Sequence, residues 1–163
     1  MYAAAILIAP VLLRRDMAWG FAAILFLFVI VWLTDTAAYF AGRAIGGPKL
    51  MPRASPKKTW SGAIGGSIAG AAGGALLAHQ FGAGNVAVVA IVALLLSIVS
   101  QAGDLLESAV KRRFNAKDAS QLIPGHGGLM DRLDGFVVAA VAGALIGLLH
   151  GGVNAPARGL MVW

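Results

Sequence analysis

Residues 86–106 read VAVVAIVALLLSIVSQAGDLL, an apolar run closed by Asp104 and followed at once by Glu107. At about 1.5 Å per residue, a helix of this length crosses the ~30 Å hydrocarbon core of a bilayer. Composition points the same way. The chain has 163 residues, 59% of them hydrophobic and 12% charged, with a mean hydropathy of +0.81, far from the balance of a soluble globular domain. A multi-pass membrane protein follows, and its expected fold class is an all-α polytopic bundle.

Working outward, residues 17–40 (MAWGFAAILFLFVIVWLTDTAAYF) are long enough to span, with Trp19, Trp32 and Tyr39 as interface anchors and Asp35 near the C-terminal end. An ionisable residue in such a position is a functional candidate by default. Residues 62–81 form a span rich in small residues, with Gly62, Gly66, Gly70 and Gly74 on one helical face. That face is expected to pack closely on another helix. Residues 133–150 (LDGFVVAAVAGALIGLLH) make the last span, and residues 151–163 a short tail. Residues 3–13 are too few to cross, so they are expected to be a re-entrant piece or part of a longer helix. They lack a basic n-region and run into Arg14, Arg15 and Asp16 rather than a cleavage site, which argues against a signal peptide. The expectation is one membrane-embedded domain over residues 1–163: four full spans plus a short N-terminal apolar segment.

Ten of the thirteen basic residues fall in two segments, residues 41–61 and 111–132. Two spans separate these segments, so both lie on one side, which the positive-inside rule makes cytoplasmic. The positive charge therefore serves topology or anionic ligands, and no nucleic acid is expected as a partner. Arg14 and Arg15 fall on the opposite side. With no cysteine in the chain, disulfides, zinc-thiolate sites and thiol nucleophiles are excluded. Residues 41–61 (AGRAIGGPKLMPRASPKKTWS), with three prolines, three glycines and no acid, read as a non-helical basic loop.

The densest polar chemistry lies in residues 108–134, SAVKRRFNAKDASQLIPGHGGLMDRLD. The helix carrying Asp104 is expected to continue as an amphipathic extension through Lys111 to Arg113, followed by a polar loop over residues 115–130. Asp131 and Asp134 stand one helical turn apart where the last span begins. Hard carboxylate oxygens suit Mg²⁺, which is commonly held by one or two carboxylates together with substrate phosphates. Any one of these acids alone could simply neutralise a neighbouring base. As a set beside hydrocarbon they read as a metal-plus-phosphate arrangement, because burying charge near lipid costs several kcal/mol unless it is paired. Lys57 and Lys58 in SPKKTWSG and Lys111 and Arg112 in SAVKRR face the same compartment, and both side-chain types suit phosphate oxygens. The segment PGHGG, residues 124–128, offers a tight turn with accessible backbone N–H groups. His126 within it reads as a general acid or base, a phosphate donor, or a hydrogen-bonded loop residue. His79 and His150 lie near span ends and read as interfacial.

These blocks resemble the phosphatidate cytidylyltransferases, also called CDP-diacylglycerol synthases. The resemblance rests on Ser108-x-x-Lys111-Arg112-x4-Lys117-Asp118, on Ile123-Pro124-Gly125-His126-Gly127-Gly128-Leu129-x-Asp131-Arg132-Leu133-Asp134, and upstream on Asp35-Thr36, the SPKKTWSG block and Gly103-Asp104-x-x-Glu107-Ser108. It implies transfer of CMP from CTP to phosphatidate, giving CDP-diacylglycerol and pyrophosphate in phospholipid biosynthesis. It also implies Mg²⁺, with or without a monovalent cation, and a homodimer in a bacterial-type inner membrane with its site facing the cytoplasm. Carried over residue by residue, Asp104, Asp131 and Asp134 are the expected metal ligands. Lys58, Lys111 and Arg132 are the expected phosphate contacts, His126 a catalytic candidate, and Ser55, Lys57, Thr59, Ser108 and Arg112 the substrate-binding set. Asp35 is expected to orient a basic residue or reach the metal indirectly. Family members usually carry further spans before the equivalent of residue 17, so this chain is expected to hold the signature half. Two alternatives stand beside this reading: a cytidylyltransferase acting on an archaeal-type ether lipid, and a non-catalytic membrane protein, either a truncated remnant or a small transport or structural subunit whose acids line a cation path.

Overall fold

The computed structural model describes residues 2–114 and 130–163; side chains of residues 2–6 and 130–133 are outside that description. Six helices and one hairpin follow in chain order: α1 (Tyr2–Arg14), α2 (Gly20–Ala44), β1 (Lys49–Met51), β2 (Ser55–Thr59), α3 (Trp60–Gln80), α4 (Val86–Arg113), α5 (Met130–Gly151) and α6 (Pro156–Met161). Four are long and apolar enough to cross a membrane: α2, α3, α4 and the Asp134–Gly151 part of α5. The protein is thus a polytopic helical membrane protein, as its composition requires. In lipid, a helix satisfies its own backbone polar groups, and an open strand edge does not.

Helix α2 is the centre of the bundle and touches all five other helices. Its buried face presents Phe26, Leu27 and Ile30. These pack with Ala93 and Leu96 of α4, Ala139 and Ala140 of α5, and Leu160 and Met161 of α6. The α2–α3 contact is made by the expected glycine face, since Gly62, Gly66, Gly70 and Gly74 are all buried. A methyl group at Gly62 would stand 2.7 Å from the Ala38 carbonyl oxygen, and one at Gly66 would stand 2.6 Å from that of Thr34. Backbone thus lies against backbone, which only a small residue permits. Where α2, α3 and α4 meet, Thr34 Oγ1 and Ser97 Oγ share a buried 2.6 Å hydrogen bond beside Gly70.

One expectation needs correction. The segment 41–61 is not a loop: α2 continues to Ala44, a turn through Gly46 (φ +67°) and Gly47 (φ +101°) leads into the antiparallel β1–β2 hairpin, and α3 begins at Trp60. Positive φ at two successive positions is what the paired glycines allow. The short tail has structure of its own. It contains α6, started by Pro156 at a first-turn position, where the missing N–H costs nothing. The ring of His150 stacks on Trp163 (centroids 3.9 Å apart) and its Nδ1–H donates to the Gly159 carbonyl at 2.9 Å, so His150 fastens the tail to α5. Residues 3–13, expected as a re-entrant piece or part of a helix, lie in α1, which packs on α5. The extension of α4 to Arg113 is as expected. The expected loop over residues 115–130 lies outside the described residues, except that Met130 opens α5.

Gly66→Ala should destabilise the protein by about 1–3 kcal/mol, the usual cost of forcing a group into filled space, whereas Ala72→Leu on the exposed face of α3 should not. Thermal unfolding of both variants in the same detergent checks this; equal melting temperatures would mean the α2–α3 contact is looser than described.

Candidate active site

The polar end of the bundle is assembled from the junction of β2 and α3. Thr59 is extended (φ −120°, ψ 158°) and caps α3, its Oγ1 accepting the Gly62 N–H at 3.2 Å. The same Oγ1 lies 3.1 Å from Ser61 Oγ, which in turn donates to the Gly46 carbonyl. The Trp60 N–H donates to the Pro48 carbonyl at 3.1 Å. Strand, cap and helix start are therefore tied to the turn leaving α2. Lys58, one residue before the cap, is held in place by this frame, and its Nζ pairs with Asp104 Oδ2 on α4. Each of the two side chains is 32% exposed, so the pair is screened less than a surface pair.

A cavity of about 470 Å³ opens around this pair. Asp35, Tyr39 and Arg43 enter it from α2, Lys57, Lys58 and Thr59 from the hairpin, and Gln101 and Asp104 from α4. Asp35 lies within Coulombic range of both Asp104 and Lys58. Arg43 donates from Nη1 to the Tyr39 hydroxyl at 3.3 Å. Beside them Gln101 Nε2 donates to Ser67 Oγ at 2.9 Å, binding α4 to α3.

A second cluster adjoins on the α4–α5 side. Lys111 pairs with Glu107 Oε1 at 3.0 Å across one turn of α4. The other oxygen, Oε2, is buried and meets no hydrogen-bond donor among the described residues. Glu107 also meets a second carboxyl group, that of Asp134, in a side-chain hydrogen bond, and Asp134 feels Asp104 as well. Two carboxylates side by side repel unless a proton or a cation lies between them. All the donors are hard oxygens, the set that suits Mg²⁺. Among the described residues no three His, Cys, Asp or Glu side chains converge into a complete metal cage.

Of the residues singled out in the sequence, the structure brings Lys57, Lys58, Thr59 and Asp104 to one cavity and sets Asp134 beside Glu107 and Lys111. Thr59 spends its hydroxyl on the helix cap. Ser55 opens β2 with its Cα paired to Met51, while Ser108 and Arg112 lie further along α4 and do not line the cavity. Asp131 and Arg132 belong to the first turn of α5, but their side chains, and His126 altogether, lie outside the described residues. Arg43, Gln101 and a site role for Tyr39 and Glu107 escaped the sequence reading. The available signal was the spacing of Asp35, Tyr39 and Arg43, four residues apart on one helix face.

A model of the cytidylyltransferase family matches residues 1–149. A phosphatidate cytidylyltransferase of Brucella suis biovar 1 (strain 1330) is 58% identical over 145 residues, 89% of this chain and 54% of that protein. One from Haemophilus influenzae (strain ATCC 51907 / DSM 11121 / KW20 / Rd) is 42% identical over 130 residues, 77% of this chain and 45% of its own length. A third, from Staphylococcus saprophyticus subsp. saprophyticus, is 46% identical over 116 residues, 70% and 44% of the two chains. The chain spans about half the length of the curated relatives it matches.

Thr59→Ala should cost about 1 kcal/mol, as loss of a threonine cap does elsewhere, and Thr59→Ser should restore most of it. Denaturant unfolding in detergent checks this; an alanine variant as stable as the parent would mean that the cap does not hold the hairpin.

Proposed function

The chain belongs to the cytidylyltransferase family, and on that premise we propose that it transfers CMP from CTP to phosphatidate, giving CDP-diacylglycerol and pyrophosphate. The observation that carries this reading is the meeting of Lys58 and Asp104 in a cavity that also receives Lys57, Arg43 and Asp35. Acid and base stand together at the end of a membrane span, where a lipid phosphate and a soluble triphosphate can both arrive.

In this reaction an oxygen of the lipid phosphate attacks the α-phosphorus of CTP, and the bond to the β-phosphate breaks as pyrophosphate leaves. No protein nucleophile is needed. Catalysis consists of bringing two polyanions together and spreading their charge. Lys57 and Lys58 are placed to bind phosphate oxygens, and Lys111 adds positive charge on the α4–α5 side. Asp104 and Asp134, with Asp131 on the same turn of α5, would hold Mg²⁺. Such an ion, when bound, supplies charge neutralisation and a template for the phosphates. The two adjoining carboxyl groups of Glu107 and Asp134, with one buried Glu107 oxygen that meets no donor among the described residues, support cation binding there. Asp35 acts at one remove, through Lys58.

In the same reading the basic hairpin and the end of α4 face the cytoplasm of a bacterial-type inner membrane, as the distribution of Lys and Arg favours. The enzyme works as a homodimer.

The purified chain in detergent, given labelled CTP, phosphatidate and Mg²⁺, should form CDP-diacylglycerol. Asp104→Asn, shown to elute and melt as a folded protein, should lose activity by roughly 10²-fold or more, since it removes a preorganised charge at the reacting phosphates. Undiminished product from Asp104→Asn would overturn the assignment.

A further inference from the structure

Arg43 is the charged group of the cavity to which nothing above gives a task. It lies in the last turn of α2 and lines the cavity, yet it forms no ion pair among the described residues. Its one hydrogen bond among the described residues, 3.3 Å to the Tyr39 hydroxyl, commits one of the five N–H donors that a guanidinium carries. Most of the fork is left for an anion.

Where Arg43 stands decides which anion. The neighbouring residues on α2 and just after it are apolar and open to the outside: Phe40 is 64% exposed and Ile45 is 75% exposed. In a membrane-spanning helix such residues face acyl chains, and a charged side chain at the same level sits at headgroup height. Lys57 is borne instead on the hairpin, beyond the end of the span, and Lys58 is already tied to Asp104. A soluble triphosphate gains nothing from Phe40 and Ile45. A phosphate attached to two acyl chains gains apolar contact there and meets Arg43 at its headgroup.

We propose that Arg43, oriented by Tyr39, binds the phosphate of the lipid substrate, while the hairpin lysines serve the phosphates of the nucleotide. This rests on the reaction proposed above and divides its two anionic substrates between two walls of one cavity. Arginine suits the lipid side because its planar fork takes two oxygens of a phosphate monoester at once. It also keeps its charge at the edge of hydrocarbon, where a lysine can lose it.

The test varies each substrate separately. With CTP saturating, Arg43→Ala should raise the apparent KM for phosphatidate in mixed micelles by roughly 10–100-fold, the range spanned by charge-assisted hydrogen bonds. The KM for CTP should stay within about twofold, the result expected when a contact to one substrate alone is lost. Arg43→Lys should fall between, keeping the charge and losing the fork. A rise confined to CTP, an equal rise for both substrates, or no rise for either would overturn the assignment. A second measurement needs no turnover: phosphatidate should raise the melting temperature of the parent chain and not of Arg43→Ala, while CTP with Mg²⁺ should stabilise both equally. A parent chain indifferent to phosphatidate, or a variant that loses the CTP response, would likewise overturn it. A chain that shows both melting responses but forms no product would count against the transfer reaction and leave the division of substrates standing.

Discussion

The meeting of Lys58 with Asp104 is the constraint around which the polar end of this protein is arranged. Two opposite charges next to hydrocarbon are tolerated only when each finds a partner, and an unpaired one costs several kcal/mol. The pair joins the hairpin to α4 and so closes the cavity that Asp35, Tyr39 and Arg43 line from α2. Around it the frame is stiff. Thr59 caps α3, Ser61 reaches back to the turn after α2, and Gln101 fastens α4 to α3. In the reaction proposed above, polyanions entering this cavity would meet charges already held in position, leaving little reorganisation for the moment of reaction.

Packing below the site explains why the frame holds. The glycine face of α3 brings its backbone against that of α2 close to Ala38 and Thr34, one turn or less from Asp35 and Tyr39. The shared hydrogen bond of Thr34 and Ser97 fixes the third helix at the same level. With little hydrophobic drive between helices in lipid, such close approach and such polar contacts are what association can draw on. The site is thus built at the end of a three-helix contact rather than on a free loop.

The spans were legible because a run of about 20 apolar residues in a polar-poor chain has few other structures open to it. The glycine stripe was legible for a similar reason: four glycines at a spacing of four share one face, whatever the helix meets. The hairpin was not. Its strands are of three and five residues, carry Pro56 and three lysines, and show no alternation of apolar and polar positions, so the segment has the composition of a loop and becomes a hairpin only through pairing and the cap at Thr59. Helix α6 was missed because six residues hold too little periodicity, and its order comes from the burial of Leu160 and Met161 and from Trp163, which stacks on His150 and accepts the Asn85 N–H at its carbonyl. In the site, Lys58 and Asp104 could be singled out by their chemistry, but their pairing across 46 residues of chain is a tertiary fact. Arg43 was overlooked because the span was taken to stop at Phe40; carrying α2 one turn further puts Arg43 on the face of Asp35 and Tyr39.

The central place of α2 bears on how the bundle is made. It precedes every helix it touches except α1. As the chain is synthesised and inserted, α3, α4, α5 and α6 each emerge to find their common partner already in the bilayer. Most of the remaining contacts join helices that are neighbours in sequence, α3 with α4, α4 with α5 and α5 with α6. The order of synthesis is then the order of docking, with short searches at each step, and the polar cavity closes only when α4 delivers Asp104 to a lysine that has been waiting beside α2.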